Sequence, residues 1–421
     1  MLRSKMQWLI GLVVCVLITS YFHKGNRING IIWSDQEGYY IYLPALFIDG
    51  YDKTTCVNGC RTIDTQNGPR VFTKYTYGVA LLESPFFLVG HMVAAIFNKP
   101  MDGRSAPYIW SILMAAIFYM LAGIAILSKL LNKTGFSIFI QWLVPVGLLL
   151  GTNLFYYTFR ESGMSHVFSF FLISVLCYSS HMRLKSSNWR WIILTAFPLA
   201  LIILIRPTNA IAGLIPLFWG AGIKDIPNRI WRFATDVKWL VAFLVSVLIL
   251  FPPQLLYWKM VTDRYIFYSY GNEGFSNWNN PKILEVLFSH QNGWLIYSPI
   301  MVLGLGGLIF MMARKIKGWL MPTMLISIAT YIFASWWAWW FGGAYGHRCY
   351  VDFLPIFAIP SAHLLSSEFL NKKASILLMA LFAALVSYVN LRMCYIYYGP
   401  WDGSEWTWYT YLIKMKQVFF L

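Results

Sequence analysis

The chain alternates between apolar blocks of roughly 15 to 22 residues and short segments that carry most of its lysine and arginine. A helix made from such a block is long enough to cross the hydrocarbon of a bilayer. The 421 residues are 58% hydrophobic and only 12% charged, which is far more apolar than a soluble domain. We therefore predict an all-α polytopic membrane protein that forms a single transmembrane domain over residues 1–421.

The formal net charge of +16 would suggest nucleic-acid binding in a soluble protein. Here the basic residues form short clusters between the apolar blocks, where Lys and Arg act as topology signals. Tryptophan and tyrosine gather at the ends of the blocks, as in an interfacial belt. The pattern favours the lipid bilayer over nucleic acid as the partner of this chain.

The first apolar block, Met6–Phe22, resembles a signal peptide, but no small-x-small cleavage site follows it. We interpret it as an uncleaved span with a cytoplasmic N-terminus. The next block, Gly78–Phe97, is predicted to lie along the outer surface, because a crossing there would export every later basic cluster. Residues 23–106 then form a first exported loop with interfacial helices, and residues 258–293 form a second exported loop.

With this choice the chain has about eleven membrane spans, with about ten to thirteen as the range. After the first, the predicted spans are Pro107–Ser128, Ser137–Phe155, Ser165–His181, Arg190–Ile205, Pro207–Gly222, Trp239–Tyr257, Trp294–Ala313, Trp319–Trp337, Val351–Ser367 and Ala374–Leu391. The basic clusters between spans then lie inside, down to Lys372 and Lys373. The short spans on either side of Arg206 are alternatively one re-entrant or broken element.

This topology was chosen from the basic clusters, yet it also gathers nearly all isolated polar residues at span ends onto the outer face. Ionisable groups near the hydrocarbon are costly unless they line a polar cavity or bind a charged ligand. The first exported loop supplies Asp35 and Glu37, and later outer segments supply arginines and histidines. This composition predicts an anionic lipid headgroup held beside a general base.

Two of the six cysteines, Cys56 and Cys60, lie close together in the first exported loop. An oxidising compartment would permit a small disulfide between them. A metal site there is the weaker interpretation, because no second pair or nearby histidine completes it. We assign no cofactor and no metal ligand, and a divalent ion stays an open alternative.

The segments Asp35-Gln-Glu37 and Phe72-Thr-Lys74-Tyr-Thr-Tyr-Gly78 resemble the GT-C superfamily of integral-membrane glycosyltransferases. That superfamily includes protein O-mannosyltransferases and aminoarabinose transferases. The later segments that resemble bacterial members without a large soluble domain are Gly151–Tyr157, Met164–Val167, Arg206–Asn209, Asn292–Pro299 and Trp336–Arg348. The resemblance covers most of the chain and rests on the order and the common sidedness of these segments.

The resemblance implies a GT-C-like fold and a donor that carries its sugar on a polyprenyl phosphate or diphosphate. Asp35 matches the first acid of the superfamily's Asp-Glu pattern, but Gln36 replaces the following Glu, so the second acid falls at Glu37. Lys74 matches a lysine that contacts lipid phosphate in aminoarabinose transferases, although the prolines that usually follow that lysine are missing here.

Sugar transfer from a lipid phosphate requires a base for the acceptor hydroxyl and cations for the departing phosphate. Asp35 is the predicted base, and Glu37 is predicted to position the acceptor or a basic residue, or to bind a divalent ion. Structural ion-pair, snorkelling and hydrogen-bonding roles are the alternatives for the cations and histidines. The predicted substrate-binding residues are Lys74, Tyr77, Arg160, His166, Arg206, His290, His347 and Arg348.

We therefore predict a glycosyltransferase of the bacterial inner membrane whose active site faces the periplasm. It would move a sugar, with inversion, from the lipid-linked donor to a hydroxyl of a glycan, lipid or protein acceptor. One alternative is an oligosaccharyltransferase or ligase that uses a lipid-diphosphate glycan. The other is a non-enzymatic flippase or transporter, which would be expected to carry mid-span ionisable residues and a repeated half.

Overall fold

The computed structural model describes residues 11, 14–21, 31–368, 373–399 and 401–420. Within the first predicted span, residue 11 and residues 14–21 are helical, and the rest of residues 6–22 lies outside the described chain. Lys372 and residues 23–30, which begin the first exported loop, also lie outside it.

Helices dominate the described chain, and five are long and apolar enough to cross a membrane: Gly78–Ile96, Ala106–Lys133, Ser165–Arg183, Val237–Thr262 and Leu377–Ile396. Five shorter apolar helices are Ile138–Gly151, Trp189–Ile205, Pro207–Phe218, Met301–Ala313 and Leu320–Ser335. Apart from Gly78–Ile96, each coincides with a predicted span. The prediction of a polytopic helical membrane protein is therefore confirmed.

Shorter helical segments connect and cover these spans. The described ones are Ser34–Tyr40, Tyr42–Pro44, the π-helix Ala45–Asp49, Leu154–Phe159, the 3-10 helix Ile223–Asp225, Ile226–Ala234, Ile283–Phe288, Trp294–Tyr297, the 3-10 helix Arg348–Phe357, Ala358–Leu365 and Trp408–Phe420. Two of the longer elements are subdivided: Pro207–Gly213 (3-10) with Leu214–Phe218, and Val237–Leu250 with Pro252–Thr262. The span Leu377–Ile396 is part of one continuous helix, Lys373–Ile396.

The interior of the bundle forms where Ala106–Lys133, Ser165–Arg183 and Trp189–Ile205 pack side by side. Side chains of these helices, such as Leu127 and Phe168, are fully buried there. The helix Val237–Leu250 instead exposes a series of leucine and valine side chains. Exposed apolar helix faces of this kind are expected where a membrane protein meets lipid.

The segment predicted to be the first exported loop also contains an antiparallel hairpin, formed by β1 (Arg61–Thr65) and β2 (Gly68–Phe72), which the all-α prediction did not include. Thr65 pairs with Gly68 at its tip. Gly68 has φ 91°, a left-handed conformation that glycine adopts without strain. The loop residues before it are Gln66 and Asn67, and a glycine in the left-handed region directly after a short loop is a common feature of hairpins.

The chain breaks its helix at Arg206, whose extended backbone (φ −148°, ψ 108°) separates Trp189–Ile205 from the 3-10 turn Pro207–Gly213. Pro207 supplies no backbone N–H and disfavours helical geometry at the residue before it. The broken element that the sequence offered as an alternative is therefore present. It leaves a charged side chain at the end of an apolar helix.

A second interrupted element is the 3-10 helix Arg348–Phe357, which continues as Ala358–Leu365. Pro355 lies inside it and removes one backbone donor. The segment carries Arg348 at its start and the buried Asp352 in its middle. One short element thus delivers a cation and an acid to the protein interior.

Both flanks of the helix Gly78–Ile96 contact the short helix Ser34–Tyr40. Before the helix, Thr73 Oγ1 donates to the Gly38 carbonyl at 2.8 Å. After it, the Tyr40 hydroxyl donates to the Gly103 carbonyl at 2.6 Å. Gly38 and Tyr40 both belong to the short helix Ser34–Tyr40. The chain after Gly78–Ile96 therefore returns to the same short helix that the chain before it contacts. This return supports an interfacial helix, although the helix is long and apolar enough to cross.

Candidate active site

Asp35 lies in the first turn of the helix Ser34–Tyr40 and pairs with Arg348. Arg348 Nη2 is 2.9 Å from Asp35 Oδ2. The side chain of Asp35 keeps 26% of its surface exposed and that of Arg348 keeps 20%. The ion pair is therefore partly buried but still reachable from outside the protein.

The charge of Asp35 is fixed by its neighbours. Burial opposes ionisation, but the charge of Arg348, a hydrogen bond from Tyr75 and the charge of Lys74 outweigh it, so the pKa of Asp35 is lowered. Asp35 therefore carries a negative charge at neutral pH. An ionised carboxylate can accept a proton, which is what a general base must do.

Lys74 follows β2 and joins the two exported loops. Its Nζ lies 2.8 Å from Glu273 Oε1 and 5.3 Å from the centre of the Tyr270 ring. Ser269 Oγ donates to the Lys74 carbonyl at 2.6 Å. The second exported loop is thereby held over the segment that carries the predicted phosphate-binding lysine.

These residues border a cleft of about 810 Å³. Its lining includes Asp35, Lys74 and residues 58–61. It also includes residues 269–273 and Trp337. A cleft of this volume is in the range of small-molecule sites and can hold a sugar with its headgroup.

A second polar group surrounds the buried carboxylate of Asp352. His166 Nδ1 lies 2.7 Å from its Oδ1, and Asn209 Nδ2 donates to its Oδ2 at 2.7 Å. Arg206 Nη1 lies 3.5 Å from the same Oδ2, and Arg206 Nη2 lies 3.1 Å from Cys349 Sγ. This network fixes the direction of the Arg206 side chain.

The two groups adjoin each other. Arg348 of the first group and Cys349 of the second are consecutive residues. Between the groups lies Tyr39, whose pKa burial raises to about 12 and on whose hydroxyl the charges of Arg206 and Asp35 act in opposite directions. Asp35, its partner Arg348 and Arg206 therefore belong to one continuous polar region.

Glu37 is fully buried and fully occupied by donors from the protein. Its carboxylate accepts hydrogen bonds from the amides of Val57, Asn58 and Gly59 at 3.0, 2.7 and 2.7 Å. Arg104 Nη1 lies 2.9 Å from it. Burial opposes ionisation of Glu37, but these donors outweigh it and lower the pKa of the carboxyl. The second acid of the loop is thus engaged with a basic residue and with backbone.

Cys56 and Cys60 form a disulfide, the pairing that the sequence permitted. We call residues 56–60 with Glu37 and Arg104 the clasp. A Cβ at Gly59 would lie 1.9 Å from the Ser34 carbonyl oxygen, so the clasp abuts the helix that carries Asp35. Glu37 and the two sulfurs are close enough together to hold a metal, but the disulfide leaves no thiolate there to bind one.

Tyr77 and Arg160, both predicted to bind substrate, make other contacts. The Tyr77 hydroxyl donates to the Leu250 carbonyl. Arg160 Nη1 donates to the Cys394 carbonyl at 2.9 Å. Each polar head is thus bound to backbone of a later helix rather than turned to the residues around Asp35.

The two other histidines predicted to bind substrate, His290 and His347, lie among aromatic rings. The ring centre of His290 is 5.3 Å from that of Trp408. His347 Nε2 lies 3.0 Å from the Trp339 carbonyl oxygen, and burial lowers the pKa of His347 to about 3, so the ring is neutral. The structure therefore places Asp35 and Lys74 in the lining of the cleft, with Arg348 paired to Asp35 and the Arg206–His166–Asp352 network next to it.

Four residues that complete the site were not among the predicted site residues: Tyr75, Tyr270, Glu273 and Asp352. Tyr75 lies inside the segment that carried the family resemblance, next to Lys74. Asp352 lies in a block predicted to span, where an acid is costly without a partner, and that cost was a usable signal. Glu273 lies in a loop without periodicity, and nothing in the sequence links it to a lysine 199 positions away.

The interrupted helical bundle, with an acid of the first exported loop facing cations of later segments, defines a GT-C-like membrane fold. Its similarity to a solved structure confirms that expectation. The chain matches the crystal structure of ArnT from Cupriavidus metallidurans bound to undecaprenyl phosphate over 92% of its own length and 70% of the other, with a TM-score of 0.55 and 12% identity. No family model matches the chain, and no curated protein matches it.

Proposed function

We propose that the protein is a membrane glycosyltransferase that moves a sugar from a polyprenyl phosphate or diphosphate to an acceptor hydroxyl. The observation that carries this proposal is an ionised Asp35 in an open cleft, flanked by Arg348 and Lys74. A base beside two cations is what transfer from a phosphate requires. The similar fold of ArnT, solved with undecaprenyl phosphate, supports a lipid-phosphate donor.

In this proposal the acceptor hydroxyl attacks the anomeric carbon as the bond from that carbon to the phosphate oxygen breaks. The hydroxyl proton passes to Asp35, and the electron pair of the broken bond leaves with the phosphate. Arg348 can hold two phosphate oxygens, whereas Lys74 acts as a point charge. Because there is one displacement, the anomeric configuration is inverted.

The other predicted residues take supporting roles. Arg206, oriented by Asp352 and His166, adds a third positive charge behind the cleft, which suits an anionic headgroup. Glu37 acts through the clasp by holding the loop beside Asp35, and the proton goes to Asp35 alone. The contacts of the remaining candidates support structural roles for Tyr77, Arg160, His290 and His347.

We place the protein in a bacterial inner membrane with the cleft facing the periplasm and the N-terminus in the cytoplasm. The distribution of basic clusters supports this orientation. The Cys56–Cys60 disulfide also supports it, because that bond persists in an oxidising compartment. The acceptor is a glycan, a lipid or a protein that reaches the cleft from outside.

The variant Asp35→Asn tests the proposal. It removes the proton acceptor while keeping the shape of the side chain, so we expect transfer to fall by about 100-fold or more. The measurement is mass profiling of cellular glycans and lipids at matched protein levels, in which the product glycoform disappears and the lipid-linked sugar accumulates. Asp64→Asn, at an exposed position on β1, is the matched control and should leave the profile unchanged.

Two outcomes would favour the alternatives. A normal profile in Asp35→Asn, together with an altered one in the deletion, would refute the base assignment and favour a flippase. Accumulation of a complete glycan on a lipid diphosphate would instead identify an oligosaccharyltransferase or ligase.

A further inference from the structure

Both cations that line the proposed phosphate position already hold a carboxylate. Lys74 Nζ lies 2.8 and 3.1 Å from the two oxygens of Glu273. Arg348 lies 2.9 Å from Asp35. Both carboxylate oxygens of Glu273 contact the Lys74 ammonium group, and they occupy the positions that phosphate oxygens would take there. A donor phosphate that binds Lys74 must therefore displace Glu273.

Glu273 is suited to exchange. Its side chain is 32% exposed and that of Lys74 is 33% exposed, and ion pairs this exposed are weak. Gly271 and Gly274, on either side of Glu273, have open space where a Cβ would lie. The backbone at Glu273 is held separately, because the Tyr268 hydroxyl donates to the Glu273 carbonyl. A multiply charged phosphate can compete with a single carboxylate under these conditions.

The loop itself has other attachments. The Trp337 amide donates to the Gly274 carbonyl at 2.9 Å, and Ser269 Oγ donates to the Lys74 carbonyl at 2.6 Å. These bonds involve no charge and do not depend on the Lys74–Glu273 pair. The Glu273 side chain can therefore leave Lys74 while the wall of the cleft stays in place.

The chemistry of the proposed reaction makes such a competitor useful. A sugar attached to a lipid phosphate is a phosphodiester with one negative charge. The lipid phosphate that remains after transfer is a monoester, which carries up to two charges. Cations alone would hold this product more tightly than the donor, and a nearby carboxylate offsets that preference.

We infer that Glu273 is a built-in competitor of the phosphate on Lys74, which sets the affinity of the cleft for polyprenyl phosphate and promotes release of that product. The inference rests on the proposed function, in which Lys74 binds the donor phosphate. Glu273 is a specificity-determining residue in this scheme, and it does not touch the reacting carbon or the acceptor hydroxyl.

The test is a double-mutant cycle on the purified full chain, with undecaprenyl phosphate as the probe in lipid nanodiscs. Glu273→Gln should tighten binding by about two- to fivefold, as expected for loss of an exposed competing ion pair. Lys74→Gln should weaken binding, and adding Glu273→Gln to it should have no further effect. Glu285→Gln, an exposed acid of the same loop, is the control and should bind like the wild type.

The outcomes distinguish failure of the competitor role from failure of the proposed function. Saturable wild-type binding with no tightening in Glu273→Gln would overturn the competitor role and leave the proposed function intact. Equal tightening in the Lys74→Gln background would also overturn it, because Glu273 would then act as general negative charge. A wild-type protein that does not bind undecaprenyl phosphate would overturn the donor assignment and the competitor role together.

Discussion

Asp35 forms an ion pair with Arg348, and this pair sets the pH range in which Asp35 is ionised and can accept a proton. Because its pKa is lowered, the ionised form persists as the solution is acidified, until the pH falls below the ordinary range of an aspartate. The proposed transfer should therefore be insensitive to the protonation of Asp35 between neutral and mildly acidic pH.

Removing the positive charge should move that limit. In Arg348→Gln the favourable charge on Asp35 is lost while burial still opposes ionisation, so the pKa of Asp35 rises. We expect the acid limb of the pH profile of kcat/KM to shift to higher pH. Arg348→Lys keeps a positive charge and should show a smaller shift. An acid limb that does not move in Arg348→Gln would mean that another group limits the rate.

At the scale of single residues, the sequence identified the charges of the site but not their partners. The predicted topology gathers Asp35, Lys74 and Arg348 on one side of the membrane, and the family resemblance additionally matches Asp35 to the first acid and Lys74 to a phosphate-contacting lysine. Their partners come from elements far apart along the chain, and Asp352 and Glu273 carry no local pattern that assigns them to an arginine or a lysine. Contacts of this kind depend on the packing of helices, which periodicity does not encode.

Among the elements, the clasp is the one that should matter most for the position of Asp35. Its Glu37 carboxylate accepts from three amides and pairs with Arg104, so removing it leaves these partly buried donors without their common acceptor. We expect Glu37→Ala to lower the free energy of unfolding by about 1 to 3 kcal/mol. Thermal unfolding of the purified protein measures this loss.

The control for the clasp is again Asp64→Asn, which changes an exposed acid of the neighbouring hairpin. It should unfold at the temperature of the wild type. If Glu37→Ala were as stable as the wild type but inactive, Glu37 would have a direct chemical role, contrary to the structural one proposed here.

The sequence located most membrane-spanning elements because hydrophobic length and basic clusters are properties of continuous segments. It located the break at Arg206 because a proline stands next to it. It did not reveal the 3-10 winding of Arg348–Phe357, which results from tertiary packing around buried residues. The same limit applies to the clasp, whose hydrogen bonds join residues about twenty positions apart.

For the whole molecule, the side of the membrane on which Lys99 lies decides between two topologies. Its segment follows Gly78–Ile96 and leads back to the helix Ser34–Tyr40. We therefore expect Lys99→Cys to react with a membrane-impermeant maleimide added from the periplasm. Ser186→Cys, in a loop predicted to be cytoplasmic, is the control and should not react. Both positions are exposed.

The background for this labelling is low. Cys15, Cys177, Cys349 and Cys394 are buried, and the other two cysteines form the disulfide. Protection of Lys99→Cys together with labelling of later cytoplasmic loops would show that Gly78–Ile96 crosses the membrane, and it would invert the sidedness of every following span.

The overall fold was predictable because topology restricts a polytopic chain to few arrangements. Sidedness placed the two exported loops over the same end of the bundle, and the order of motifs indicated the GT-C-like fold, which the similarity to ArnT confirms. The relative placement of the loops was not predictable. It depends on single contacts such as the one between Lys74 and Glu273, and no rule of topology specifies them.

The winding of the segment that carries Arg348 determines how far that segment reaches. A 3-10 helix rises about 2.0 Å per residue and an α-helix about 1.5 Å. Over the ten residues of Arg348–Phe357 the tighter winding adds about 5 Å of length. With its far end fixed by Ala358–Leu365, the same segment wound as an α-helix would stop short of Asp35. The rise per residue of this one short helix therefore decides whether Arg348 reaches Asp35.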